Sequence, residues 1–281
     1  MKQENLAFLH DNLKYLGFGE GGPLYDQVHE AIERAGPEEF QVYTEAYFDE
    51  GSKLEACLYF RRSDQHGMCF FNKYDALLRY SDNPERNKAQ TFYINKGSGV
   101  TFKEAFNLLS GRAVNKNLVS LEGEKYNAWI QINFEEKDLH NNHRMKQYRS
   151  QYGFDLEKTL EQYPIRELQG EETKAALIRS LRRGNLQLVS FDKANKTEKM
   201  NIEANPRFKT LNLYPEATRA PQKNNKKQGL STSEDPLPDP TRDPVDPDKD
   251  RNEEEERDLM EESGEGMERA VAKPPVRKRV R

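Results

Sequence analysis

The chain has 281 residues and a formal net charge of −4, and its mean hydropathy of −1.03 is low for a chain that folds throughout. No apolar run approaches the roughly 20 residues of a membrane-spanning helix, so the sequence excludes such a helix. Two cysteines are too few for a disulfide framework, and a reducing cytoplasm is the expected location.

The charge is unevenly distributed along the chain. Residues 1–215 hold 31 acidic and 30 basic residues, whereas Glu234 to Glu268 hold 16 acidic and only 4 basic residues. Arg269 to Arg281 hold 6 basic residues and no acidic residue. The near-neutral body argues against a strong, non-specific DNA-binding protein, and the strongly charged features lie in residues 216–281.

Residues 1–97 are predicted to form an N-terminal α+β half, with two helices and a β-meander. Leucines three and four residues apart predict a helix over residues 3–16, which Gly17 ends. A second helix begins at about Pro23 and ends at Gly36-Pro37. The predicted strands are Phe40–Phe48, Leu54–Arg62, Met68–Asn72, Tyr74–Tyr80 and Thr91–Asn95.

Residues 98–215 are predicted to form a second α+β module. Thr101 and Glu104 have the spacing of a capping box that begins a third helix. Asp155 is expected to cap a short helix, and Glu171–Arg183 predicts a longer one. The predicted strands are Ala113–Leu118, Lys125–Phe134, Met145–Tyr148, Leu186–Phe191, Lys199–Glu203 and Phe208–Tyr214.

The pattern as a whole indicates the α+β class, with antiparallel strands and helices packed on them in two small halves. After Pro215 the hydrophobic pattern stops, and repeated Asp-Pro pairs follow. Such a segment cannot bury a core, so residues 216–281 are predicted to be a disordered Pro-rich and acidic tail with a basic C-terminus.

The strand Lys125–Phe134 is the most informative stretch, because its residues alternate between an apolar and a polar face. The single tryptophan, Trp129, shares the polar face with Asn127 and Gln131. In one alternative, Leu156, Leu160 or Leu181 of the predicted helices pack over this face and the indole belongs to the core. In the other, the face is open and these three residues, together with Tyr148, form a contact surface for a base or a peptide.

Two groups of basic residues are candidates for contacts with phosphate. Arg179, Arg182 and Arg183 lie near the end of a predicted helix that also carries Lys174, and Arg207 and Lys209 extend this group further along the chain. The second group, with the densest positive charge in the chain, contains Arg277, Lys278 and Arg279. The alternative for both groups is a solvated surface, and the preceding acidic block is a potential competitor for the second group.

Other motifs favour structural explanations. Gly17-x-Gly19-x-x-Gly22 matches the dinucleotide-binding fingerprint, but a helix rather than a strand precedes it. His140 and His143 lie in a predicted loop without a third metal ligand. Since no catalytic constellation stands out, no catalytic, cofactor-binding or metal-binding residue is assigned.

Several longer motifs carry a resemblance to a known family. They are Tyr93-Ile94-Asn95-Lys96-Gly97, Gly111-Arg112-Ala113-Val114-Asn115-Lys116, the Trp129 strand, Tyr152-Gly153-Phe154-Asp155-Leu156-Glu157, Leu181-Arg182-Arg183-Gly184-Asn185 and Ile202-Glu203-Ala204-Asn205-Pro206-Arg207-Phe208-Lys209-Thr210. Together they resemble the uncharacterised family catalogued as domain of unknown function 3945, most closely over about residues 90–214. Its members come from gut Bacteroidales and tend to lie with conjugative or plasmid-borne genes, some beside topoisomerases. The resemblance implies a cytoplasmic location and a mobile-element setting, without an activity.

The expectation is therefore a non-enzymatic accessory protein of a mobile genetic element that acts in DNA-associated processes. Its partner would be nucleic acid or a DNA-processing protein. The alternative is a protein–protein adaptor without nucleic-acid contact, which takes a peptide at the free edge of the meander or at the face around Trp129. No membrane, cofactor or small-molecule substrate is expected.

Overall fold

The computed structural model describes residues 2–34, 38–63, 67–94, 99–120, 123–193 and 196–216. The helices in these residues are α1 (Lys2–Tyr15), α2 (Pro23–Glu33), α3 (Phe102–Leu109), α4 (Leu156–Leu160) and α5 (Glu171–Arg182). The strands are β1 (Glu39–Ala46), β2 (Ser52–Arg62), β3 (Cys69–Tyr80), β4 (Lys88–Tyr93), β5 (Val114–Val119), β6 (Lys125–Lys137), β7 (His143–Arg149), β8 (Gln187–Lys193), β9 (Lys196–Asn205) and β10 (Thr210–Pro215). The fold is α+β, as predicted, and every sheet is antiparallel. Apart from Glu216, the predicted tail lies outside the described residues.

The first sheet is a meander in the order β1-β2-β3-β4. One cross-strand row on its inner face consists of Val42, Leu58, Tyr74 and Phe92, each at most 3% exposed. Leucines of α1, residues of α2 and most of α3 belong to the same hydrophobic cluster. The three helices therefore bury the inner face of the meander.

The prediction of two separate strands at Met68–Asn72 and Tyr74–Tyr80 is wrong, since β3 runs through both. The pairing of β2 with β3 shifts register there, because Tyr59 lies opposite Lys73 while Phe60 lies opposite Phe71. Asn72 is thus the extra residue of a β-bulge. A bulge interrupts the period-two alternation, which explains why the sequence pattern is read as two strands.

The end of α1 agrees with the prediction from its glycines. Gly17 has φ of 79° and donates its N–H to the Lys14 carbonyl at 3.0 Å. The Phe18 N–H donates to the Leu13 carbonyl at 2.9 Å. These two bonds form a Schellman motif, which satisfies carbonyl groups at the end of the helix. None of the helices in the described part of the chain is long and apolar enough to span a membrane.

The capping box of α3 forms as predicted. The Thr101 side chain accepts a hydrogen bond from the Glu104 N–H, and the Glu104 carboxylate accepts one from the Thr101 N–H at 2.9 Å. The same carboxylate forms an ion pair with Lys116 of β5 at 2.9 Å. Because Glu104 is buried, this pair fixes the start of α3 against the second sheet.

The second sheet has β6 in its centre, between β5 and β7. Its predicted alternation is confirmed, but neither face is open along the centre of the strand. Ile130 and Ile132 belong to the hydrophobic cluster of the first sheet and α3. Trp129, on the opposite face, belongs to a second cluster with residues of α4, α5 and the third sheet. The sheet thus contributes to both cores of one compact unit.

The third sheet has the order β10-β9-β8, and one of its faces contributes Val189, Ile202 and Leu211 to the second core. The predicted start of its last strand at Phe208 is wrong. Pro206–Phe208 forms a short 3₁₀ helix, and Asn205 caps it by accepting a hydrogen bond from the Phe208 N–H. Pro206 has no N–H for a strand ladder, so β10 begins only at Thr210.

Candidate functional site

Trp129 is buried, although the alternation of its strand also allowed an exposed position. The indole is 6% exposed, and its ring lies edge-on to Phe154 with 5.4 Å between the ring centroids. Leu160 and Leu181 lie in the same hydrophobic cluster. Of the two alternatives for this face, the structure shows the covered one around Trp129, so the indole is not available for stacking on a base.

Asn127 and Gln131 are placed differently from Trp129 on the same face of β6. The Asn127 side chain is exposed and donates to the side-chain oxygens of Asn115 and Asn117 at 3.0 and 2.8 Å. Gln131 is half-buried and donates to the Gly111 carbonyl at 2.8 Å. The three residues therefore do not present one common contact surface, and each stabilises the second sheet instead.

The structure brings together four other residues on two exposed turns. They form the aromatic–basic cluster, which consists of Tyr152, Arg207, Phe208 and Lys209. The Tyr152 hydroxyl donates to the Arg207 carbonyl at 2.8 Å and so joins turns that are 55 residues apart in the chain. The Lys209 ammonium lies 4.8 Å from the centre of the Tyr152 ring, and the Arg207 guanidinium lies 5.3 Å from that of Phe208.

The aromatic–basic cluster combines exposed aromatic rings with an unfavourable backbone conformation. Phe208 is 68% exposed and Tyr152 is 37% exposed, although both are large aromatic residues. Lys209 has φ of 54° and ψ of 40°, the left-handed region in which a side chain costs about 1 kcal/mol. Contiguous exposed apolar patches and unfavourable backbone conformations are both found at binding sites.

Buried aromatic residues support the cluster from below. Tyr148 is opposite Trp129 in the pairing of β6 with β7, and its ring makes an edge contact with Tyr152 at 5.0 Å between centroids. Trp129 packs in the same manner against Phe154, on the other side of Gly153. Trp129 and Tyr148 therefore position the turn that presents Tyr152, even though Trp129 itself does not reach the surface.

Three arginines form a row at the end of α5, and one of them contacts the helix that follows the Tyr152 turn. Arg179, Arg182 and Arg183 are exposed, and spacings of three and four residues place them on one face of the helix end. Arg182 forms an ion pair at 3.0 Å with Glu157, in the first turn of α4. Because α4 begins three residues after Gly153, this pair connects the arginine row with the turn that carries Tyr152.

A buried amide fixes the end of α5 to α3. Asn107 is fully buried, and its side-chain nitrogen donates to the Arg183 carbonyl at 2.6 Å and to the Asn185 side chain at 2.9 Å. Its oxygen accepts a hydrogen bond from Arg112 at 2.6 Å. Burial lowers the pKa of the Arg112 guanidinium, and nearby Glu203 partly offsets this effect. These contacts hold the arginine row in place.

Sequence reasoning found the cations of the cluster but missed its aromatic groups. The sequence pattern predicts Phe208 as the first residue of a strand, so its place in an exposed turn was not expected. Asn205-Pro206 was the available signal for a turn at this point, since Asn and Pro favour turn initiation. Tyr152 carries no comparable signal, because its role depends on a partner 55 residues away.

A second exposed surface is the outer face of the first sheet. Tyr43, Cys57, Asp75 and Thr91 form a cross-strand row there, and Tyr43 is 52% exposed. The Asp75 carboxylate accepts hydrogen bonds at 2.7 Å from Thr91 and from Tyr59. Burial, followed by the bond to Asp75, raises the pKa of the Tyr59 hydroxyl. This face presents neutral hydroxyl groups rather than a reactive phenolate.

The remaining candidates and the comparisons add no further site. Arg277, Lys278 and Arg279 lie outside the described residues. No group of three or more His, Cys, Asp and Glu in the described ranges is arranged to hold a metal ion, and His140 is exposed in its loop. No protein-family model, curated protein or solved structure matches the chain.

Proposed function

We propose that this protein is a non-enzymatic, cytoplasmic accessory protein of a mobile genetic element and contacts nucleic acid through the aromatic–basic cluster. The observation that carries the proposal is the joint exposure of two aromatic rings and two cations on turns held by buried aromatic residues. Aromatic rings stack on bases, while Lys and Arg neutralise phosphates. The mobile-element setting rests on the resemblance of the sequence motifs.

The geometry favours a single strand over a duplex. Phe208 and Tyr152 can stack only on bases whose faces are free, as they are in single-stranded DNA or RNA. The row of Arg179, Arg182 and Arg183 would contact phosphates further along the same strand. With few cations involved, we expect a moderate affinity that decreases with salt in proportion to the number of phosphates contacted.

The test is a binding titration of the full chain with a single-stranded DNA of about 16 nucleotides, at several salt concentrations. Replacing Arg207 and Lys209 with Gln should weaken binding and reduce the salt slope by about 0.7 for each lost phosphate contact. Phe208→Ala should weaken binding by about 1–3 kcal/mol with an unchanged slope, because it removes stacking rather than charge.

Tyr43→Ala is the matched control, because Tyr43 is an exposed aromatic residue on the outer face of the first sheet. We expect its affinity for the oligonucleotide to equal that of the unaltered protein. Equal losses for Tyr43→Ala and Phe208→Ala would contradict the assignment of the cluster. An absence of binding by the full chain at low salt would contradict nucleic-acid contact altogether.

The alternative is a protein–protein adaptor, which a different observation favours. β1 is an edge strand of the first sheet, and Tyr43 on this strand is 52% exposed. An extended peptide could add to such an edge through backbone hydrogen bonds. A stoichiometric partner that remains bound after nuclease treatment, and that Tyr43→Asp removes but Phe208→Ala does not, would support this function over nucleic-acid contact.

A further inference from the structure

The two edges of the first sheet differ in what occupies them. At the β4 edge, the Thr91 N–H donates to the Asn142 side-chain oxygen at 2.9 Å. The Gln90 side chain accepts a hydrogen bond from the His143 N–H at 2.9 Å and donates one to the His143 carbonyl at 3.0 Å. The turn between β6 and β7 therefore covers the β4 edge. At the opposite edge, β1 pairs within the described ranges with β2 alone.

Half of the backbone groups of β1 point away from β2. The Arg62 N–H donates to the Glu38 carbonyl at 2.7 Å, in the same register that continues along β1 and β2. Bonded and non-bonded pairs alternate along an antiparallel ladder, so every second residue from Glu38 onward bonds to β2. The residues between them direct their N–H and C=O groups to the outer edge. In the central part of β1 these are Gln41, Tyr43 and Glu45.

β1 lacks the features that usually protect such an edge. Native edge strands are commonly short, or they carry lysine, proline or a bulge. β1 has 8 residues, contains neither lysine nor proline, and keeps a continuous register with β2. Tyr43, near its centre, is 52% exposed. The edge is therefore a template on which a further strand can form backbone hydrogen bonds.

The charges of β1 favour one register for pairing with a copy of itself. If Tyr43 lies opposite Tyr43 of the copy, the outward backbone groups align and Gln41 lies opposite Glu45. Centring the pairs on Val42 instead would place Glu39 opposite Glu45. Like charges directly opposite each other are destabilising, so the pairing centred on Tyr43 is favoured over this one.

The same register also suits the inner face of the sheet. Centring the pairs on Thr44 would shorten the ladder from residues 40–46 to residues 42–46. With Tyr43 at the centre, Phe40 lies opposite Ala46, so a large side chain meets a small one. Both are only partly buried against the first core, and Phe40 stacks on Phe60 with 4.7 Å between the ring centroids. Pairing would extend this apolar face from one copy to the other.

We propose that β1 pairs antiparallel with β1 of a second copy of this chain, with the two Tyr43 residues opposite each other. The contact has two-fold symmetry, because the same strand contributes the same residues on both sides. It joins two four-stranded sheets into one continuous sheet. The inference is independent of nucleic-acid contact, and it gives the edge an occupant other than the peptide of an adaptor.

Sedimentation equilibrium of the full chain from about 1 μM to about 1 mM tests the association, because a single strand ladder is a small interface. Gln41→Glu places a carboxylate opposite Glu45 at two symmetry-related positions and should raise the dimer dissociation constant about fivefold. Gln41→Lys places an ammonium group there and should lower the constant about fivefold. Since Gln41 is exposed, both variants keep the core intact.

Gln162→Glu and Gln162→Lys are the matched controls, because they make the same charge changes at an exposed position after α4. Their dissociation constants should equal that of the unaltered protein. Equal effects at Gln41 and Gln162 would show that net charge alone governs the association, and would overturn the proposed pairing.

Amide hydrogen exchange at single-residue resolution locates the contact in the unaltered protein. The outward N–H groups of Gln41, Tyr43 and Glu45 should exchange about tenfold more slowly once about 90% of the protein is dimeric. The N–H groups of Val42 and Thr44 bond to β2 and should be protected at every concentration.

A chain that stays monomeric at about 1 mM, with its outward amides unprotected, would overturn the proposal and leave β1 available to a different peptide. A dimer whose dissociation constant ignores the charge at Gln41 would overturn it as well, because the contact would lie elsewhere. The oligonucleotide titration is a separate measurement. An absence of DNA binding would refute the proposed function and leave the dimer results unchanged.

Discussion

At the scale of single residues, Gly184 is a position where one added methyl group should lower the free energy of unfolding strongly. It has φ of +77°, and an added Cβ would lie 2.8 Å from the Ala113 carbonyl oxygen and 2.9 Å from a Val114 methyl group. Gly184→Ala should lower the free energy of unfolding by about 3 kcal/mol, from backbone strain of about 1 kcal/mol and overpacking of about 2 kcal/mol. Urea denaturation followed by Trp129 fluorescence measures this change.

Gly21→Ala serves as the control for that measurement. Gly21 has φ of +71°, but an added Cβ would have no atom within 4 Å. We expect a loss of about 1 kcal/mol, from backbone strain alone. If both substitutions cost the same, the close approach of Gly184 to β5 does not determine its effect.

The pH dependence of stability should depend on His143. Burial, followed by repulsion from Lys137 and Lys88, lowers the pKa of this imidazole below its usual value of 6.5. The folded state thus favours neutral His143, whereas the unfolded chain takes up a proton near pH 6.5. The resulting contribution to stability is complete above pH 6.5 and is lost as the pH falls.

His143→Gln should therefore lose less stability than the unaltered protein between about pH 7.5 and pH 5. Denaturant titrations at several pH values measure the difference. His10 also has a lowered pKa from burial, but it is present in both proteins and cancels in the comparison. Identical profiles for His143→Gln and the unaltered protein would contradict the prediction.

At the scale of secondary-structure elements, β6 shows what a strand pattern can and cannot predict. The alternation of Lys125–Phe134 predicts correctly which side chains share a face. It does not predict what covers that face, because Phe154 and Leu181 come from distant parts of the chain. The capping box of α3 and the glycine that ends α1 are local signals, so the beginning of α3 and the end of α1 were predictable. The bulge at Asn72 interrupts a local pattern, and there the prediction failed.

The burial of Trp129 in β6 has a direct spectroscopic consequence. Since it is the single tryptophan, its fluorescence should be quenched by iodide far less than that of the urea-unfolded chain. Trp129→Ala should lower the free energy of unfolding by about 3–5 kcal/mol, because it removes a large side chain from the second core. Circular dichroism measures the second effect without the indole. Strong iodide quenching in the folded protein would contradict the covered position.

At the scale of the whole molecule, the two hydrophobic cores are not independent. β6 contributes Ile130 to one core and Trp129 to the other, while Asn107 of α3 binds the end of α5. Loss of either core therefore removes contacts from the other. We expect a single cooperative unfolding transition, in which Trp129 fluorescence and far-ultraviolet circular dichroism give the same midpoint. Separate midpoints would show that the cores unfold independently.

The candidate site also depends on the whole molecule, because it joins residues that are far apart in the chain. This explains why only part of it could be predicted from the sequence. Arg207 and Lys209 could be selected as cations from the sequence alone. Their contact with Tyr152 depends on the hydrogen bond from the Tyr152 hydroxyl to the Arg207 carbonyl, 55 residues away in the chain. The exposure of Phe208 depends on the turn at Pro206. The Tyr152 turn follows the second sheet, whereas the Phe208 turn lies between two strands of the third sheet, so no local pattern encodes their contact.

Because the backbone of Lys209 is left-handed, a glycine at this position should affect the free energy of unfolding and the proposed oligonucleotide binding in opposite directions. Glycine adopts this conformation without steric penalty, so Lys209→Gly should raise the free energy of unfolding by about 1 kcal/mol. The same change removes an ammonium group from beside Tyr152. We therefore expect a variant that withstands more denaturant and yet holds a single-stranded oligonucleotide less tightly, which thermal melting and a binding titration would measure together.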